Sequence, residues 1–249
     1  MFFKLQRKWQ IVILATFLGF QLFVYLFGLA SNFDWFWRGL WQWNASDAVF
    51  FIRYTSTLMC FVFLLMLVRN YKRDLFMVLG FFAIVVADYF LVFRVEIINF
   101  YPLGVSAFIV AQIFFMFRFY INMTRKQKIL DLITSISILV ITLAITIIAF
   151  RNSFDTLFFV VAVYFSMLLS NAILAWFQNK TNLTLALGFT FFVLCDIFVG
   201  AMYLNWIWFA GTLAWLFYIP CKVLLVLSLL HKPTQPESEP VTKQALNTG

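Results

Sequence analysis

Asp88 and Asp196 lie inside two long apolar runs that say nearly the same thing 108 residues apart. The first is Leu79-Gly80-Phe81-Phe82-Ala83-Ile84-Val85-Val86-Ala87-Asp88-Tyr89-Phe90. The second is Leu187-Gly188-Phe189-Thr190-Phe191-Phe192-Val193-Leu194-Cys195-Asp196-Ile197-Phe198. Each opens on Leu-Gly-Phe and holds its aspartate eight residues after the glycine. A carboxylate in such a run costs about 2.5–3.5 kcal/mol on insertion scales, so intramembrane carboxylates are read as functional by default. Two of them in register mark the functional centre. The chemistry open to them is proton handling, whether in catalysis or in carriage.

Six further polar side chains accompany them within apolar runs. Arg53 stands near one end of its run, while Gln112 and Lys222 stand near mid-depth in theirs. Gln112 follows Asp88 by 24 residues and Lys222 follows Asp196 by 26, which makes them rough counterparts. Tyr218 lies one helical turn from Lys222 on the same face, and Tyr164 and Asn171 lie two turns apart in a single run. Two readings stay open. The charges Asp88, Asp196, Arg53 and Lys222 could be ion pairs that only hold helices together, or they could form a site. Arg53 alone could snorkel to an interface, and Tyr164 and Asn171 could be ordinary interhelical hydrogen bonders.

The elements that must position these groups are membrane helices. The chain of 249 residues is 64% hydrophobic and 11% charged, more apolar surface than a water-soluble protein of this size can hide. Runs near 9–30, 49–68, 75–93, 102–121, 129–150, 154–177, 183–204 and 206–230 are long enough to span, and too continuously apolar for barrel strands. Lys and Arg alternate between their ends. Thirteen fall on one side (Lys4, Arg7 and Lys8 through Lys232 and Lys243) and three on the other, Arg38, Arg94 and Arg151. The positive-inside rule then sets both termini in the cytoplasm. Asp88 and Asp196, each thirteen residues into its span, come to similar depth, slightly outside the midplane. Gly80 and Gly188, two turns earlier, let neighbouring helices approach closely.

The expected fold is therefore all-α: a polytopic transmembrane bundle of eight spans over residues 1–232, followed by a disordered polar cytoplasmic tail over 233–249. The 108-residue offset relates spans 3 and 4 to spans 7 and 8 as a weak parallel repeat. The first run, ending near Gly28-Leu29-Ala30, has a signal-peptide rival that its length disfavours. Trp35, Trp37, Trp41 and Trp43 read as an outer aromatic belt, and Asn44-Ala45-Ser46 as a formal glycosylation acceptor. Net charge is +8, but it resides in short loops, so no nucleic-acid partner is expected. Cys60, Cys195 and Cys221 all fall inside apolar runs and His231 is the one histidine. No disulfide framework, metal site or cofactor is expected. The compact loops lean towards a bacterial cytoplasmic (inner) membrane, and oligomeric state is not legible.

With these residues laid out, the chain resembles the YhhN-like lysoplasmalogenase family over roughly residues 50–230. The resemblance is carried by Gly80 to Asp88, Gly104-x3-Phe108-x2-Ala111, Tyr164 and Gly188-x3-Phe192-x3-Asp196. It departs at Gln112 (usually histidine), Phe115 (usually tyrosine), Lys222 (a glutamine) and Arg53-Tyr54 (Lys-Pro). The resemblance implies hydrolysis of the vinyl-ether bond of a lysoplasmalogen, a lysophospholipid, to a fatty aldehyde and a glycerophospho-base. Such a bond breaks when its alkenyl carbon is protonated and water captures the oxocarbenium ion. The reaction needs one carboxylic acid and one carboxylate, the division of labour of the glycosidase pair. Asp88 and Asp196 would share these catalytic roles. Arg53, Gln112, Tyr164, Asn171, Tyr218 and Lys222 would bind the substrate, with Arg53 and Lys222 on its phosphate. The rival is a non-enzymatic transporter or proton-coupled carrier using the same aspartates; a receptor or assembly protein is a third class.

Overall fold

In lipid every backbone N–H and C=O must be bonded within the protein, and a long apolar run satisfies this by becoming an α-helix. The computed structural model describes residues 5–31, 45–68, 71–93, 101–121, 123–149, 156–177, 182–203, 206 and 209–231. These hold eight long helices: α1 (Arg7–Ser31), α2 (Ala45–Leu67), α3 (Tyr71–Asp88), α4 (Tyr101–Tyr120), α5 (Arg125–Ala149), α6 (Thr156–Phe177), α7 (Leu183–Tyr203) and α8 (Ala210–Leu227). No strand occurs among the described residues. Seven of the helices are long and apolar enough to cross a membrane. The remaining helix, α2, offers a shorter apolar stretch, Phe51–Leu67.

Boundaries differ locally from expectation. Helix α2 begins at Ala45, ahead of the expected residue 49, and α8 begins at Ala210, later than the expected 206. The tryptophans 35–43, Asn44 and the tail 233–249 lie outside the described residues.

Two helix starts follow from side chains. Thr124 and Gln127 form a reciprocal capping box at the head of α5, Gln127 Oε1 accepting from the Thr124 N–H at 2.9 Å. Asn182 Oδ1 accepts the Leu185 N–H at 3.1 Å, while its amide donates to the Ser228 carbonyl at 2.8 Å. The start of α7 is thereby tied to the end of α8.

Six helices, α2, α3, α4, α6, α7 and α8, pack in that order into a ring that closes where α8 meets α2. Helix α1 rests on α2 and α8, and α5 rests on α6. The α5 face carries exposed Ile133, Ile136, Val140 and Ile141, as a lipid-facing helix should. The tightest seams in the ring join α3 to α4 and α7 to α8, and a glycine makes each possible. A Cβ on Gly80 would stand 2.4 Å from the Phe115 ring, and one on Gly188 would stand 2.9 Å from Leu225 Cδ2 and 3.1 Å from its backbone nitrogen. Close approach at both glycines is thus observed. Gly80→Ala and Gly188→Ala are each expected to destabilise the protein by about 1–3 kcal/mol through overpacking. Gly19→Ala, where nothing lies within 4 Å, should cost nothing. Thermal unfolding of the three variants in detergent checks this.

Candidate functional site

Each helix of the ring sends at least one polar side chain into a core otherwise built of phenylalanine, leucine and alanine. Buried polar groups require partners. Their bonds group them into an aspartate-centred cluster on α2, α3 and α8, a second on α6 and α7, and an amide pair between α4 and α6.

Asp88 is the last residue of α3 before the helix loosens into a π-helical turn, Tyr89–Phe93. Such turns recur at functional positions because they release backbone groups from the regular ladder. Asp88 is 2% exposed. Its Oδ2 accepts from Thr57 Oγ1 of α2 at 2.5 Å, and its Oδ1 accepts from the Tyr218 hydroxyl of α8. Lys222 Nζ donates to the same Thr57 oxygen at 2.7 Å and lies 3.8 Å from Asp88 Oδ2. The ammonium also sits 3.9 Å from the centre of the Tyr218 ring. Pro220, between Tyr218 and Lys222, has no N–H to give to the helix. Thr57 therefore holds acid and cation together from a third helix. The preceding residue, Ser56, bonds Gln21 of α1 in both directions, at 2.6 and 3.1 Å, and braces this edge of the ring.

Asp196 of α7 accepts from the Tyr164 hydroxyl of α6. Phe108 of α4 packs on Tyr164 with 5.6 Å between ring centres and on Phe192 at 5.8 Å. Asp196 is less enclosed than Asp88, and among the described residues no cation pairs with it. Each aspartate takes a hydroxyl from the helix before its own, at separations of 31 residues (Thr57) and 32 residues (Tyr164).

The other expected site residues divide. Asn171 Nδ2 donates to both the backbone oxygen and Oε1 of Gln112, each at 2.9 Å, which fixes a fully buried amide pair between α6 and α4. The Arg53 guanidinium stacks 4.3 Å from the Trp215 ring of α8, a cation–π contact beside Tyr218. Tyr218 and Tyr164 each meet an aspartate. Lys222 is 1% exposed and meets Thr57 and Asp88. Thr57, Gln21, Ser56 and Trp215 are participants that sequence reasoning missed. Among the described residues, no group of three or more His, Cys, Asp or Glu is placed to hold a metal ion.

Thr57→Val removes the hydroxyl shared by Asp88 and Lys222 while keeping its shape. A loss of about 1–3 kcal/mol in stability is expected, because both charged groups lose a buried partner. Chemical denaturation in detergent, native against variant, measures it.

The YhhN family model matches residues 48–229, which spans α2 to the end of α8. No curated protein and no solved structure matches the chain.

Proposed function

The chain belongs to the YhhN family, and on that premise we propose that it is a lysoplasmalogenase-like membrane hydrolase. It cleaves the vinyl-ether bond of a lysoplasmalogen to a fatty aldehyde and a glycerophospho-base, in an eight-span bundle with both termini cytoplasmic. The lean towards a bacterial inner membrane stays part of the reading. The observation that carries it is the unequal treatment of the two buried carboxyl groups. Asp88 is served by Thr57, Tyr218 and the Lys222 ammonium, whereas Asp196 has the Tyr164 hydroxyl and no cation among the described residues.

That inequality supports a division of roles. A cation beside a carboxylate favours its charged form, so Asp88 is the carboxylate. Asp196, without one and the more accessible of the two, is the proton donor. In the first step Asp196 gives its proton to the alkenyl carbon distal to the ether oxygen, and the carbon bonded to oxygen becomes an oxocarbenium carbon. Asp88 faces this positive charge and takes a proton from the water that attacks it. The hemiacetal so formed collapses as Asp88 returns its proton to the leaving glycerol oxygen and Asp196 takes the hemiacetal hydroxyl proton, which releases aldehyde and alcohol and restores both groups. Lys222 and Thr57 hold Asp88 charged and oriented. Arg53, stacked on Trp215, is the cation read here as meeting the lipid phosphate.

A weak parallel repeat relates α3–α4 to α7–α8 in this reading. It is supported by the ring order and by the hydroxyl given to each aspartate from the preceding helix.

Hydrolysis of a defined lysoplasmalogen in D2O tests the route. Protonation at carbon puts one deuteron on the carbon next to the aldehyde carbonyl. Aldehyde without that deuteron would exclude the mechanism, and lipid flux in proteoliposomes without aldehyde would favour the carrier.

A further inference from the structure

The amide pair is bonded in a way that leaves one donor and one acceptor over. Asn171 Nδ2 spends both hydrogens on Gln112, one on the backbone oxygen and one on Oε1. That double contact fixes the orientation of both amides. Turning Asn171 over would set its oxygen against the Gln112 carbonyl, and turning Gln112 over would set two NH2 groups together. With the orientations fixed, Gln112 Nε2 and Asn171 Oδ1 have no hydrogen-bond partner among the described residues, and both residues are 0% exposed. A buried polar atom left unsatisfied on each half of one pair is a deficit that a bound group removes.

The deficit has a definite chemistry. Gln112 Nε2 needs an acceptor and Asn171 Oδ1 needs a donor. An anion satisfies the first and is repelled by the second, and an ammonium does the reverse. A hydroxyl oxygen accepts with its lone pairs and donates with its hydrogen, so it satisfies both. The pair lies one turn along α4 from Phe108, whose ring packs on Tyr164, and seven residues along α6 from Tyr164, the partner of Asp196.

We propose that Gln112 and Asn171 form a binding site for a single hydroxyl group. Two sources carry that chemistry: a water molecule, or an alcohol of the substrate. In a lysophospholipid the alcohol is the free hydroxyl on the central glycerol carbon. The site itself rests only on the amide geometry, while its lipid source rests also on the hydrolase reading.

The experiment uses the full chain in detergent with probes that are not turned over. These are a saturated 1-O-alkyl lysophospholipid and its 2-deoxy counterpart, measured by calorimetric binding to the native protein, to Gln112→Met and to the double variant Gln112→Leu/Asn171→Leu. The double variant removes both halves of the pair together, so it leaves no orphaned partner to compromise folding. A ligand-free structure at a resolution that shows ordered water is determined in parallel. If the hydroxyl is the lipid's, the native protein binds the 2-hydroxy probe about tenfold or more tightly than the 2-deoxy probe. Both variants then bind the two probes equally. If it is water, the native protein binds both probes equally and an ordered oxygen bridges Gln112 Nε2 and Asn171 Oδ1. Equal binding with no ordered oxygen overturns the proposal. Failure of both probes to bind overturns the lysolipid reading instead, and the ordered oxygen then decides the site by itself.

Discussion

Asp196→Asn is expected to lower aldehyde release by about 10²–10⁴-fold, the usual contribution of a positioned general acid, with little change in thermal unfolding. The carboxamide keeps an oxygen to accept the Tyr164 hydroxyl, so the bond between α6 and α7 survives. No cation among the described residues depends on the lost charge. What disappears is the proton that Asp196 delivers. Tyr164→Phe separates the two roles of this pair: it removes a hydrogen bond to the acid but leaves the acid itself. Its loss of turnover should therefore be smaller than that of Asp196→Asn. Side-by-side rates and unfolding temperatures of the two variants check this. Equal turnover in Asp196→Asn and the native protein would remove Asp196 from the chemistry.

Asp88→Asn is expected to fail in a different way. Asp88 and Lys222 are both buried, with side chains 3% and 1% exposed and 3.8 Å between charged atoms. Removing one member of a buried pair typically costs about 3–5 kcal/mol, because the other charge is left without compensation. The asparagine can still accept from Thr57 or Tyr218, but it does not neutralise the ammonium. The double variant Asp88→Asn/Lys222→Met should therefore unfold at a markedly higher temperature than the single variant, while remaining without turnover. A single variant as stable as the native protein would show that the ammonium is not held by Asp88.

The two aspartates were legible because a carboxylate is costly to place in an apolar run and persists there when it has a task. Gly80 and Gly188 were legible for a related reason, since a helix position without a side chain lets a neighbouring helix approach closely. The hydroxyls were not. Thr55, Thr134, Ser137 and Ser170 each donate to the carbonyl four residues back in their own helix, at 2.8–2.9 Å. Nothing in the chain distinguishes Thr57, which bonds Asp88, from Thr55, which bonds its own helix. The difference is made by the angular position of Thr57 on a helix whose neighbours are set by packing.

Lys222 teaches the same point about direction. Its spacing counts it with the Asp196 half, and depth along α8 follows from that spacing, yet its ammonium reaches Asp88 across the closing seam of the ring. Spacing fixes how deep a group lies; which way it faces depends on the order of helices around the ring. The pairing of Arg53 with Trp215 was hidden for the same reason, being made between α2 and α8 across 162 positions of chain. The π-helical turn after Asp88 has no sequence signal in Tyr89-Phe90-Leu91-Val92-Phe93 that a regular helix would lack.

The most direct measurement is aldehyde release from a defined lysoplasmalogen by the purified native protein, beside Asp88→Asn/Lys222→Met and Asp196→Asn. A two-carboxylate mechanism predicts release by the native protein and a loss of about 10²-fold or more in both variants, with all three proteins folded. Aldehyde release that persists in the folded variants, or its absence from the native protein, would contradict a two-carboxylate vinyl-ether hydrolase.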